Sequence, residues 1–206
     1  MRLNVVILSV ALLLVGSISP VSAAPVLIDF ESFGNVGSSG PAVTTQFLGQ
    51  GVTFSSTGGN QNLVSSQPNI GFGLNFICTG AGGINCSGET ILTFTDPVNS
   101  LSFFQVGDNA TGVVALVDIF VSGVLAGTQN ILGDNNFNLP NLVDLTGFHN
   151  VTSIRIHNIT DPGGLGWDNF SYVTGAAAVA EPGISILLAC GLAGIGVRAW
   201  RRRRRV

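Results

Sequence analysis

The alternation of apolar and polar residues along the middle of the chain most constrains how it folds. In residues 113–121 every odd position is apolar, whereas Asp118 interrupts the even positions. Because successive side chains of a strand point to opposite faces, this pattern predicts a half-buried β-strand. The same part of the chain has no convincing helical stripe, so we expect an all-β body. Shorter runs of the strand type occur at residues 26–30, 51–55, 90–95, 100–106, 151–158 and 167–173.

Turn-forming residues separate these runs. Roughly eight to ten short strands at such spacing predict an antiparallel β-sandwich that is jelly-roll-like, with a β-barrel as the alternative. The sequence has no clean repeat of fixed period, which argues against a solenoid. Gly, Asn, Asp and Pro favour tight turns, and they cluster at residues 58–60, 96–97, 108–109, 133–135 and 161–164.

The charges of the chain are unevenly distributed. Only 9% of the 206 residues are charged, and the basic residues are all Arg. Arg155 alone lies in the middle, against ten acids between Asp29 and Asp168, so residues 25–180 carry 1 − 10 = −9 with His neutral. An acidic surface repels polyphosphates, so we expect no nucleic-acid partner. The body is long enough for one domain with a single core.

The N-terminus has the organisation of a signal peptide. Arg2 precedes an apolar run at residues 5–18, and the small residues Val21-Ser22-Ala23 follow. This order predicts a signal peptide over residues 1–23, cut after Ala23 by signal peptidase. An uncleaved signal anchor is the alternative, and both interpretations place the body outside the cytoplasm.

The C-terminus combines a helix-breaking motif, an apolar run and a basic cluster. Glu181, Pro182 and Gly183 precede residues 184–197, which are apolar. As a helix this run is about 21 Å long, short of the roughly 30 Å hydrocarbon core, so it predicts a marginal transmembrane helix. Arginines favour the cytoplasmic side. A single-pass anchor is the alternative to a temporary membrane hold. The terminal cluster consists of Arg201, Arg202, Arg203, Arg204 and Arg205.

This C-terminal order resembles the PEP-CTERM sorting signal of Gram-negative bacteria over residues 179–206. Ala180 stands where the first Pro of the motif usually lies, which leaves Glu181-Pro182 as the matching pair. The resemblance implies an exosortase that cuts near this motif after a transient stay in the inner membrane. It also implies a destination at the cell surface or in the extracellular matrix, with exopolysaccharide as a partner. The body would then span residues 24–178.

The body resembles secreted jelly-roll domains of carbohydrate-binding type. Residues 28–31 look like their first strand, 51–54 like the second and 166–170 like the last. In such domains a structural calcium often joins the first and last strands. The resemblance therefore implies a Ca²⁺ site, and solvated edge charges are the alternative. Its ligands here would be Asp29, Glu31, Asp168 and Asn169.

Aromatic residues near the end of the body offer a second kind of candidate site. Exposed rings stack on sugars, so Trp167 and Tyr172 are candidates for a glycan platform. The competing interpretation is burial in the core, because Trp167, Phe170 and Tyr172 share one terminal strand.

The two cysteines of the body predict a disulfide. Cys78 and Cys86 enclose a short loop rich in Gly and Ala, and an exported protein favours their oxidation. Metal binding by these thiols is the alternative, although no His lies near them in sequence.

Catalytic motifs are absent from the sequence. His149 and His157 are the only histidines, and neither belongs to a nucleophile or metalloprotease motif. Most of the acids are Asp in turns, where the side chain usually caps its own backbone. We therefore predict an exported, non-enzymatic protein with a structural or glycan-binding role. The alternatives are a secreted polysaccharide hydrolase and a membrane-anchored periplasmic structural protein.

Overall fold

The computed structural model describes residues 23–67, 73–80 and 85–175. The predicted signal peptide, except Ala23, and the whole predicted sorting segment with its apolar helix lie outside these residues. Within the described ranges, every helix is too short to cross a membrane.

The described body is built from ten β-strands, all paired antiparallel, which confirms the predicted all-β class. Two short 3-10 turns, Glu31–Phe33 and Leu48–Gln50, are its helical elements. The strands are β1 (Pro25–Ile28), β2 (Val52–Ser55), β3 (Gln61–Ser66), β4 (Asn75–Gly80), β5 (Thr90–Val106), β6 (Thr111–Val121), β7 (Val124–Asp134), β8 (Asn141–Asp144), β9 (Val151–His157) and β10 (Gly166–Thr174).

Strand β5 connects two sheets because it bends in its middle. Its first half pairs with β2 and β9, and its second half pairs with β10 and β8. The pairing with β9 shifts register between Thr93 and Val98. A turn predicted at residues 96–97 is therefore wrong, since the strand continues through Asp96-Pro97. Pro97, which cannot donate to a ladder, lies at the bend where the strand changes sheets.

The two halves of β5 divide the strands into the layers of a sandwich. All ten strands belong to one continuous hydrogen-bonded sheet, and β5 is common to both layers. The first layer, called the first sheet below, is β2-β5-β9-β6-β7, and the second is β3-β4-β10-β5-β8 with β1 beside β10. Strand β7 ends the first sheet and β8 ends the second. Gln129 Nε2 of β7 donates a 3.2 Å hydrogen bond to the Asp144 carbonyl of β8, so these two edges meet along one side of the sandwich.

The core follows the alternation of the strands. Ala115, Val117 and Ile119 of β6 are buried, as are Ile154 and Ile156 of β9. Aromatic rings fill the space between the sheets in mostly edge-to-face pairs, an arrangement that ring quadrupoles favour. The central rings belong to Phe30, Phe47, Phe54, Phe103, Phe170 and Trp167.

Four strands lack a predicted counterpart. All six residues of β4 are buried, and β3 buries Asn62, Ser65 and Ser66, so neither shows a period-two pattern. Strand β7 is mostly exposed and includes residues 133–134, which were expected in a turn. It follows β6 through Ser122 and Gly123, whose φ values of 51° and 76° suit a two-residue hairpin loop. The fourth is β8, which has only four residues.

Candidate functional site

The predicted disulfide is present between Cys78 and Cys86. Their Cα atoms lie 4.7 Å apart, and both side chains are buried. The N–H of Leu165 donates a 2.9 Å hydrogen bond to the Cys86 carbonyl, so the bridge also ties this loop to the segment that enters β10. The two cysteines therefore form a structural disulfide.

Trp167 and Tyr172 are not available as a surface glycan platform, so that prediction is wrong. Both residues have 0% exposure, because their side chains belong to the core cluster of the body. The Trp167 ring packs 5.8 Å from that of Phe103, and the Tyr172 ring 5.0 Å from that of Phe94, between centroids. The two residues are five positions apart, and both can be buried because β10 shifts register between Asp168 and Ser171.

Tyr172 also has a polar partner inside the body. Its hydroxyl donates a 2.9 Å hydrogen bond to the Gln50 carbonyl. Burial disfavours the charged phenolate and raises the pKa of Tyr172 to about 12. The residue acts as a core ring with an anchored hydroxyl.

Glu31, one of the predicted calcium ligands, is engaged in a contact between loops. Its Oε1 atom accepts the N–H groups of Leu74 and Asn75, at 2.8 and 2.9 Å. The N–H of Glu31 itself donates to Asp29 Oδ1 at 3.2 Å. These bonds fix the start of β4 to the segment after β1.

The two remaining predicted ligands, Asp168 and Asn169, are neighbours on β10. Asp168 is buried in β10, and its Oδ1 accepts the N–H of Asn169 at 2.7 Å. Across the described ranges, no three His, Cys, Asp or Glu side chains are grouped as metal ligands. The structure therefore does not group Asp29, Glu31 and Asp168, and the calcium site that they would form with Asn169 stays a prediction.

The outer face of the first sheet carries an arginine–glutamate salt bridge and a histidine–aspartate contact. Arg155 on β9 contacts Glu89 through two hydrogen bonds of 2.7 and 2.8 Å, and the bond to Glu89 is the main cause that raises the pKa of Arg155. Nε2 of His157 lies 3.1 Å from Asp118 Oδ2, without hydrogen-bond geometry. The hydroxyl of Thr128 donates to the Asp118 carboxylate. A hydroxyl that is activated by a histidine base would be hydrogen-bonded to the imidazole. The Thr128 hydroxyl is bonded to the carboxylate instead.

Two buried aspartates hold the loops at one end of the sandwich. Asp108 accepts backbone N–H groups from Ala110 at 2.9 Å and from residues 134 and 135 at the end of β7. Asp161 accepts the N–H groups of Asn109 and Gly163, at 2.7 and 2.8 Å. The capping expected for Asp in turns is found here, and both carboxylates also bind a distant loop.

A pocket of about 180 Å³ lies where the edge strands β7 and β8 meet. We call it the seam pocket. Its wall contains amides and apolar side chains and no charged residue. Leu132 and Leu142 at its rim are 61% and 57% exposed, so apolar surface surrounds the polar interior. The lining residues are Gln105, Gln129, Asn130, Ile131, Leu132, Asn141, Leu142 and Val143.

Gln105 is the distinctive residue of the seam pocket. It lies directly opposite Trp167 on β10 and Asn141 on β8, so the three side chains share the inner face of the second sheet. Gln105 is 0% exposed, and neither its Oε1 nor its Nε2 has a hydrogen-bond partner in the described protein. The same holds for the buried Asn141 Nδ2 and Trp167 Nε1 atoms.

Sequence reasoning missed this site, although it contains a usable signal. Residues 100–106 were predicted as a strand, and Leu101 and Phe103 occupy its inward positions. Gln105 continues that apolar row at the next inward position. A buried polar group without a partner costs about 1–3 kcal/mol, so a glutamine in a core row indicates a specific partner.

No family model and no curated protein matches this chain. Among solved structures, it is similar to the K2 cleaved adhesin domain of Lys-gingipain, with 13% identity and a TM-score of 0.44, covering 73% of this chain and 100% of that one. It is also similar to a family 35 carbohydrate binding module from Clostridium thermocellum, with 13% identity, a TM-score of 0.39 and coverage of 74% and 99%. An F5/8 type C domain from Bacteroides fragilis matches with 17% identity, a TM-score of 0.30 and coverage of 45% and 76%.

Proposed function

We propose that this chain is an exported, non-enzymatic protein with a structural or glycan-binding role in the cell envelope or the exopolysaccharide matrix. Signal peptidase removes residues 1–23, and an exosortase then recognises the C-terminal segment of PEP-CTERM type. The body of residues 24–178 reaches the cell surface or the matrix and remains there as a folded β-sandwich.

The engagement of the carboxylates in structural contacts supports the non-enzymatic role. Glycoside hydrolysis needs two carboxyl groups that face each other across a substrate cleft. In the described body Asp108 and Asp161 hold loops, and Glu89 is paired with Arg155. The seam pocket is lined by no carboxylate. This use of the carboxylates favours a binding or structural role over hydrolysis.

The charge distribution of the sequence supports the sorting step. The acidic body carries a single Arg, whereas Arg201–Arg205 close the apolar C-terminal run. Basic clusters of this kind stay on the cytoplasmic side, which holds the body outside until the segment is cut. Glu181-Pro182-Gly183 lies between the two, where a cut would separate them.

Intact mass spectrometry of the native protein tests this proposal. Protein from the culture medium and from the envelope fraction should start at Ala24 and end near Glu181. A control variant with the five terminal arginines replaced by Ser should accumulate with its C-terminal segment uncut. Native protein that ends at Val206 and occurs only in the envelope would contradict sorting and would favour the anchored periplasmic alternative.

A further inference from the structure

We propose that the seam pocket binds an uncharged sugar residue, with the buried amide of Gln105 as its central hydrogen-bonding group. This inference rests on the proposed function, because an exported protein of the matrix meets polysaccharide. It adds a location, a ligand class and a recognition residue to that function.

The seam pocket contains buried polar atoms that have no hydrogen-bond partner in the described protein. Buried amides in native proteins almost always have partners, supplied by protein, water or ligand. Gln105 presents one acceptor and two hydrogens of its donor nitrogen, and Asn141 presents a further donor on the adjacent strand. A ligand that both donates and accepts would therefore gain most by entering here.

The chemistry of the wall selects the type of ligand. A sugar hydroxyl both donates and accepts a hydrogen bond, which matches the amides of Gln105, Gln129, Asn130 and Asn141. An anionic sugar would find no cation in this wall, and the single basic residue of the body, Arg155, is already paired with Glu89. With ten acids in residues 25–180, the surrounding field also opposes an anion.

The size and rim of the pocket limit how much of a glycan enters. Its 180 Å³ would hold about six water molecules at about 30 Å³ each, which is less than the usual volume of a drug-sized site. One sugar residue at a chain end or branch therefore fits better than a long oligosaccharide. Leu132 and Leu142 are placed to contact the apolar face of its ring.

Binding of defined tetrasaccharides to the exported protein tests the proposal. The probes are cellotetraose, mannotetraose and galactotetraose, which are uncharged, and a mannuronate tetrasaccharide as the charged comparison. We expect saturation-transfer NMR and calorimetry to detect at least one uncharged probe and to detect weaker or no binding of the uronate. Failure of the wild-type protein to bind any uncharged probe would overturn the proposal.

Two variants locate the binding at the seam pocket. Gln105→Leu should weaken binding at least about tenfold while the protein stays folded, because the apolar side chain offers no hydrogen bond. Asn141 is half-buried on the edge strand β8, so Asn141→Ala should weaken binding less. This variant replaces Gln105→Leu in the test if Gln105→Leu fails to fold. Gln61→Leu, on the exposed side of β3, is the matched control and should bind like the wild type.

The outcomes separate this inference from the proposed function. If the protein is exported and its tail removed, but Gln105→Leu and Asn141→Ala bind as tightly as the wild type, the seam pocket is not the site. If binding is lost in both variants while the native protein keeps Val206, the sugar site stands and the sorting step is wrong.

Discussion

Two buried polar side chains, Gln105 and Asp108, lie three residues apart in the chain and differ in whether the protein supplies their hydrogen-bond partners. Asp108 accepts three backbone N–H groups from two loops, whereas Gln105 has no partner within the described protein. Both residues are almost completely buried. A polar group in a core either stabilises the fold through its bonds or reduces stability and is retained for another reason. The comparison assigns Asp108 to the architecture of the protein and Gln105 to its binding.

The largest change in unfolding free energy is expected at Asp108, whose carboxylate is fully bonded. Replacing Asp108 by Ala removes the side-chain acceptor of the Ala110 and Asp134 N–H groups, whereas the Asn135 N–H keeps the Ala110 carbonyl as its acceptor. We therefore expect the unfolding free energy to fall by about 2 to 4 kcal/mol. Urea denaturation followed by tryptophan fluorescence measures this loss, since Trp167 lies in the core. Asp108→Asn retains one oxygen acceptor and should recover part of it.

Asp96→Ala provides the control for that measurement. Asp96 is an exposed aspartate at the bend of β5, and a substitution at such a surface position usually changes stability by less than about 0.5 kcal/mol. Equal losses in Asp96→Ala and Asp108→Ala would mean that the loops at this end are not held by the buried carboxylate.

Tyr172 lies between the two extremes, because its buried hydroxyl has one partner. Its pKa is raised to about 12 in the folded protein, against about 10 in an unfolded chain. The folded state therefore favours the neutral phenol. The stability that follows is complete below pH 10 and is lost as the pH rises through about 12.

The chain contains a single tyrosine, so its titration can be followed directly. Phenolate absorbance should rise with a midpoint near pH 12 in the native protein and near pH 10 in urea. Tyr172→Phe should flatten the loss of stability in that interval. A native midpoint at pH 10 would show that the hydroxyl is solvated and would weaken its place in this comparison.

Replacing Gln105, which has no partner, should change the unfolding free energy only slightly and in the stabilising direction. In Gln105→Leu, an apolar side chain of similar size replaces an amide without partners, next to the apolar row of Leu101 and Phe103. Such replacements are neutral or stabilising, so we expect a change between zero and a gain of about 1 kcal/mol in unfolding free energy. A loss of more than about 1 kcal/mol in the same urea experiment would indicate that the amide is structural, satisfied by water.

The sequence predicts the strands better than it predicts their partners. Alternation identifies β6, β9 and β10 because each has one buried face, whereas β4 is buried throughout and shows no period. The same limit explains the error at Trp167 and Tyr172. Period two would place Trp167 and Tyr172 on opposite faces, but the register shift of β10 between Asp168 and Ser171 lets both side chains enter the core.

The seam pocket illustrates a second limit of sequence reasoning. Gln105 could be suspected from its place in an apolar row, but Asn141 and Gln129 belong to strands that carry no clear pattern. Their meeting depends on the bend of β5, which brings the edges of two sheets to one side. Local patterns do not encode that long-range pairing.

The smallest expected effect concerns calcium. Glu31 is a second bonded carboxylate, since it already accepts two backbone N–H groups and is thereby bound to the start of β4. A calcium ion would have to compete with these bonds, and Asp168 is not grouped with Glu31. We therefore expect added calcium or a chelator to change Tm by less than about 1 °C.

Differential scanning calorimetry with calcium, with magnesium and with a chelator measures this effect, and Glu31→Gln separates the two roles of the carboxylate. If Glu31 acts as a loop clamp, the variant should lower Tm equally in all three conditions, because the amide accepts the same N–H groups more weakly. If Tm of the wild type rises by several degrees with calcium alone, and Glu31→Gln abolishes that rise, then Glu31 is a metal ligand. A carboxylate bonded to the backbone would then also bind a ligand, and the division between architecture and recognition would hold only for Asp108 and Gln105.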